Sequence, residues 1–150
     1  MTTQPYNPVE RFQKWLTANV KDPVSMDDKS RLHEFLDILS SPDTEIPYKD
    51  FALKGLGMMA IKYTASPIIL CGAIPVIKKQ LSSPHTNLVA QSIRTLIFLD
   101  THGGKKELFD ERLHIVVRDI VSNKNTPSYI KEMGMKFYFS MLDGPLEHNF

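Results

Sequence analysis

The sequence predicts an all-α protein in which one helical unit recurs about three times, and two observations carry that prediction. Residues 39–44 read LSSPDT and residues 81–86 read LSSPHT, five of six identical at an offset of 42. A weaker copy follows at an offset of about 40: Val76, Ile77, Lys78, Leu81 and Ser82 align with Val116, Val117, Arg118, Val121 and Ser122. The flanking stretches repeat too, Ala52 to Leu56 aligning with Ser92 to Leu96 and then with Gly134 to Tyr138. Between proline and glycine breaks, apolar residues fall at three- and four-residue spacing rather than in strand-like alternation. A period of this size belongs to arrays of stacked helices. One helix pair or triplet has two apolar faces and cannot bury both alone, whereas stacked copies bury them against each other.

The elements follow in order. Asn7-Pro8 with Glu10 reads as a cap and a first-turn proline. The helix it opens puts Val9, Phe12, Leu16 and Val20 on one face, with Trp15 beside them, and is expected to shield the N-terminal end of the stack. Ser25 can cap a second helix carrying Leu32, Phe35, Leu36 and Leu39. Pro47 opens a third, with Phe51, Leu53, Leu56 and Met59 along it. Residues 87–99, 113–121 and 129–142 give three more, the last rich in Met and aromatics. Breaks are expected at Asp22-Pro23, Ser41-Pro42, Ser83-Pro84, Gly103-Gly104 and Thr126-Pro127. The two Ser-Pro pairs read as prolines opening the next helix. The expected organisation is a single domain: a capping helix over 1–25, repeats over 26–41, 42–83 and 84–123, a partial repeat over 124–142 and a tail over 143–150. Small residues at Ala52, Ser92 and Gly134 share one repeat position, where neighbouring helices should approach most closely.

Composition narrows the function classes. Eighteen basic and seventeen acidic residues leave a net charge of +1, which gives no global pull toward nucleic acid or an anionic membrane. Charge is nevertheless uneven. Residues 1–47 hold five Lys/Arg and eight Asp/Glu, while residues 48–83 hold five basic groups and only Asp50. Cys71, the single cysteine, fits a reducing compartment, and its apolar surroundings predict a buried, inert thiol. No secretory pattern precedes Pro8, and the apolar stretch 67–77 is too short and too broken to span a bilayer. A cytoplasmic or nuclear protein is expected.

Residues 72–83, Gly-Ala-Ile-Pro-Val-Ile-Lys-Lys-Gln-Leu-Ser-Ser, closely resemble the second helix of an armadillo repeat. Residues 88–99 resemble its long third helix and 67–71 its short first one. The pair 105–110 and 113–121 repeats the pattern without the Gly-Ala-Ile-Pro signature. HEAT repeats are the near alternative. The resemblance implies a short right-handed α-solenoid of about three armadillo-type repeats with helical caps, third helices lining a concave groove. It implies a protein-interaction module, not an enzyme, with no cofactor and no metal.

In peptide-carrying members of that family the third helix presents a tryptophan and, one turn on, an asparagine. Those positions fall here on Lys54, Arg94 and Lys136, and on Met58, Phe98 and Ser140, so the peptide-clamping ladder is replaced. A row of three cations across helices spaced about 8–10 Å apart would meet an acidic segment, advancing about 3.3 Å per residue, at roughly every third residue. Met58 and Phe98 would add apolar contact. The expected partner is therefore an acidic, partly apolar segment of another protein. The plain alternative is a solvated face whose lysines pair with groups such as Asp50. Two other classes stay in view: a nucleic-acid-binding solenoid, and a subunit that self-associates through the exposed remainder of Met133, Met135, Phe137, Tyr138, Phe139 and Met141.

The remaining motifs carry less. His33, His85, His102, His114 and His148 are scattered without metal-ligand spacing. No nucleophile–base grouping stands out. Gly103-Gly104 reads as a helix stop beside Lys105-Lys106, a candidate small anion site.

Overall fold

The structure is a computed structural model that describes residues 26–147, with side chains from Asp27 to Leu142. The expected capping helix with Phe12 and Trp15, the cap at Ser25, and His148 lie outside the described residues. The described residues form helices joined by short loops and contain no strand. Its elements are α1 (Met26–Ser40), α2 (Ile46–Tyr63), α3 (Ser66–Leu70), α4 (Ala73–Gln80) and α5 (Thr86–Leu99). A π-helical turn (Asp100–Gly104) leads into α6 (Lys105–Asp110), α7 (Leu113–Ser122) and α8 (Ser128–Glu147). A short helix, a medium one and a long one thus follow each other twice, as α3–α4–α5 and α6–α7–α8.

The apolar spacing explains which faces close. Leu32, Phe35, Leu36 and Leu39 of α1 are buried together with Leu53, Leu56 and Met59 of α2. Each side chain of this size contributes about 1.5–3 kcal/mol when removed from water. The long helices lie side by side, α2 against α5 and α5 against α8; α1 packs on α2, α4 on α5 and α7 on α8. Of the small-residue row, Ala52 and Ser92 are fully buried, and Gly134 is buried against α7. A Cβ on Gly134 would stand 2.5 Å from Val121 Cγ2 and 3.2 Å from Val117 Cγ1, so backbone and side chain are already in contact there.

Three side-chain hydrogen bonds join residues one sequence period apart. Gln80 Nε2 donates to the Leu39 carbonyl at 2.8 Å, Thr95 Oγ1 to the Leu53 carbonyl at 2.9 Å, and Ser140 Oγ to Asp100 Oδ2 at 2.7 Å. Their separations of 41, 42 and 40 residues are close to the repeat offsets read from the sequence. Each such bond contributes about 0.5–1.5 kcal/mol net, and an orphaned partner would cost more.

The joints are built from left-handed residues. Gly72, at φ 95°, caps the start of α4, and Arg112, at φ 59° and ψ 33°, caps the start of α7. Glycine takes that conformation without a Cβ penalty, whereas arginine does not.

Several expectations change. Helix α8 continues to Glu147, so the tail does not begin at 143; the proline at 145 removes one backbone donor but does not end the helix. Pro42 and Pro84 do not open helices: α2 starts at Ile46 and α5 at Thr86, and Ser83 Oγ accepts the His85 N–H at 3.1 Å inside the turn. The divisions placed at 41/42 and 83/84 therefore fall in loops between helices that pack together, α1 with α2 and α4 with α5. Cys71 is exposed, not buried. One turn of helix buries only Ile68 of the apolar run, leaving Leu70 83% exposed beside the thiol.

Candidate protein-binding surface

On α2, Ile46, Asp50 and Lys54 recur at helical spacing, and on α5 so do Asn87, Gln91 and Arg94. These residues line one open depression of about 410 Å³ between the two helices, with Pro47, Ala90 and, from α8, Tyr129. Two of the expected cations, Lys54 and Arg94, are thereby brought together. The third, Lys136, is exposed on α8 two turns beyond Tyr129 and is not part of this depression.

The three cations differ in their partners. Lys54 pairs with Asp50 at 3.2 Å and lies 5.5 Å from the Phe51 ring centroid, as the plain alternative anticipated. An exposed pair of this kind contributes at most about 1 kcal/mol and can be exchanged for a ligand carboxylate. Arg94 is exposed and donates only to Gln91 Oε1, at a long 3.4 Å. Neither Arg94 nor Lys136 has an ion-pair partner among the described residues.

The second row is differently occupied. Phe98 is half-buried against Gly57, where a Cβ would meet its ring at 2.7 Å, and Met58 packs against the core. Ser140 belongs to an internal network: Lys105 Nζ donates to its carbonyl and hydroxyl oxygens at 3.0 and 2.9 Å and pairs with Asp100 at 2.7 Å. These three side chains hold helices together rather than facing the depression. The same network takes up Lys105, and Lys106 pairs with Asp110 at 2.9 Å, so the anion site expected beside Gly103-Gly104 is filled by the protein's own acids.

Asn87, Gln91 and Tyr129 were missed from the sequence. The signal that could have found the first two is a polar stripe at Asn87, Gln91 and Arg94 at helical spacing. A second charge cluster, at the start of α1, was also not foreseen. Buried Asp28 accepts hydrogen bonds from Tyr63 Oη and, at 3.2 Å, from Lys62 Nζ, with Arg31 at 3.5 Å. Burial and the bond to Asp28 raise the Tyr63 pKa.

Among the described residues no three His, Cys, Asp or Glu side chains are grouped to hold a metal ion, and no helix is long and apolar enough to cross a membrane. Comparison with family models, curated proteins and solved structures finds no match.

Proposed function

We propose that this protein is a non-enzymatic interaction module of the cytoplasm or nucleus, a small armadillo-type solenoid that holds an acidic, partly apolar segment of a partner. The observation that carries this reading is the depression between α2 and α5, where Lys54 and Arg94 flank Ile46, Pro47 and Tyr129. Two cations beside an apolar shelf complement a segment that alternates carboxylates with apolar side chains. The order short–medium–long helix, repeated at the sequence period, supports the solenoid assignment. The test is binding of an extended Asp/Leu-containing peptide, read by fluorescence anisotropy, with a Lys/Leu peptide as control. The acidic peptide should bind, and the triple variant K54A/R94A/K136A should weaken it at least roughly ten-fold with helicity unchanged. Binding that survives the triple replacement would refute the groove assignment.

A specific observation favours a second reading, self-association through α8. Met135, Phe139 and Leu142 recur along one face and are 44%, 51% and 37% exposed. Met135 and Phe139 also line an apolar cleft of about 160 Å³ with Val121 and Tyr138. Light scattering across a concentration series, with Phe139→Glu as the disrupting variant, separates a dimer from a monomeric adaptor.

A further inference from the structure

The two matching helix pairs can be compared position by position, and three of the positions at which they differ lie around one depression. At an offset of 40, Gly72 corresponds to Arg112, Ile74 to His114 and Lys78 to Arg118. The backbone demand is the same in both: Gly72 and Arg112 are left-handed residues at the start of a helix. The burial is the same as well, since Ile74 and His114 are 5% and 6% exposed. In α7 the chain thus holds an arginine where the backbone favours glycine and a histidine where the core favours isoleucine. Both exchanges cost stability, and both point to one spot. Arg112, His114 and Arg118 line a single open depression of about 550 Å³, together with Phe109, Asp110 and Ile115.

His114 lies flat on Phe109, ring centroids 4.5 Å apart and 7° from parallel. Its Nδ1 is sealed from solvent without a hydrogen-bond partner, and its Nε2 has none among the described residues. The ten-residue helix α7 has no side-chain cap and no acidic residue in its first turn. Its first backbone N–H groups therefore add positive potential at the same end. Of the acids nearby, Asp110 lines the depression but is paired with Lys106 at 2.9 Å, Asp119 meets Arg118 at 3.5 Å on an exposed flank, and Glu111 is exposed beside Arg112.

We propose that this depression binds a small phosphate monoester. The Arg112 and Arg118 guanidiniums and the α7 N-terminus would receive the phosphate oxygens, with His114 beneath and Phe109 and Ile115 against the organic part. Two guanidiniums offer the planar fork that phosphate favours. Burial, reinforced by the Arg112 and Arg118 charges, holds the His114 pKa below its ordinary value. A bound dianion would offset those charges and raise it. The site lies on α6 and α7, away from Lys54 and Arg94, so it stands or falls independently of the peptide groove.

The test uses the full chain and phenyl phosphate, followed by amide chemical shifts. Saturable shifts centred on residues 109–118 are expected, with a rise in the His114 pKa at saturation. The variant R112G/H114I restores the glycine and isoleucine found forty residues earlier. It should fold at least as stably as the parent and bind at least roughly ten-fold more weakly. K54A/R94A should bind phenyl phosphate like the parent. Absence of saturable shifts in the parent, or undiminished binding by a folded R112G/H114I, would overturn the proposal.

Discussion

Gly134→Ala tests the closest approach in the helical stack. An alanine in mid-helix ordinarily gains up to about 1 kcal/mol over glycine. Here the new methyl would lie 2.5 Å from Val121 Cγ2, 3.2 Å from Val117 Cγ1 and 4.0 Å from Ile93 Cδ1. The nearest neighbours are β-branched and hold one preferred χ1 in a helix, so they cannot swing aside freely. Forcing one carbon into such a contact costs about 1–3 kcal/mol, which exceeds the propensity gain. The expected net loss is up to about 2 kcal/mol, or a fall in Tm of a few degrees for a chain of this size. Urea denaturation of G134A, V121A and the double variant measures it. Because V121A removes the obstructing methyl, the double variant should lose less than the sum of the singles, with a coupling of about 1 kcal/mol. A G134A protein as stable as the parent, or strictly additive losses, would show that α7 and α8 do not approach as described.

Four further outcomes follow from buried or exposed groups. Asp28→Ala should cost about 2–4 kcal/mol in denaturant titrations, since it strips Lys62 and Tyr63 of a buried acceptor. Tyr63 has a folded pKa above its ordinary 10.0, so its contribution is full below that pH and is lost as pH climbs through the folded value; Tyr63→Phe should flatten the alkaline fall in stability. His114, lowered below 6.5 by burial and then by Arg112 and Arg118, has the opposite sign. Its contribution is present above pH 6.5 and lost as pH falls through the folded value, and the imidazole C–H resonances should titrate below that pH. Cys71, being exposed, should react fully with a thiol reagent in the native protein; a requirement for denaturant would contradict its placement.

The helices and their core were legible because the relevant signals are local. Apolar spacing in α1 and α2 reports one buried face, and Pro47 reports a helix start because its missing N–H has no partner there anyway. What was not legible depends on direction in space. The run ending in Cys71 is apolar, but a helix of one turn buries one side only, and hydropathy does not say which residues take it. The clusters at Asp28–Lys62–Tyr63 and Asp100–Lys105–Ser140 join residues up to 40 apart, and nothing within a helical window marks them. Of the six groove residues, Lys54 and Arg94 share a depression because they sit one repeat apart on adjoining helices. Met58, Phe98 and Ser140, each one turn on, are taken up by the core, by Gly57 and by Lys105, contacts across helices that the spacing within one helix does not mark.

Repetition within one chain supplies its own control. Leu53, Ile93 and Met135 hold the same repeat position, and the first two are fully buried while Met135 is 44% exposed. The face that α2 turns to α5, and α5 to α8, is uncovered on α8 among the described residues. Exposure of Met135 is thus a property of position in the stack, since the residue is as apolar as those it corresponds to. Arg112 and His114 are the reverse case. Their backbone geometry and burial match those of Gly72 and Ile74, and only the chemistry differs. His114 gains the stack on Phe109 in exchange, so the pair Arg112 and His114, rather than the helix as a whole, is where a ligand is to be tested.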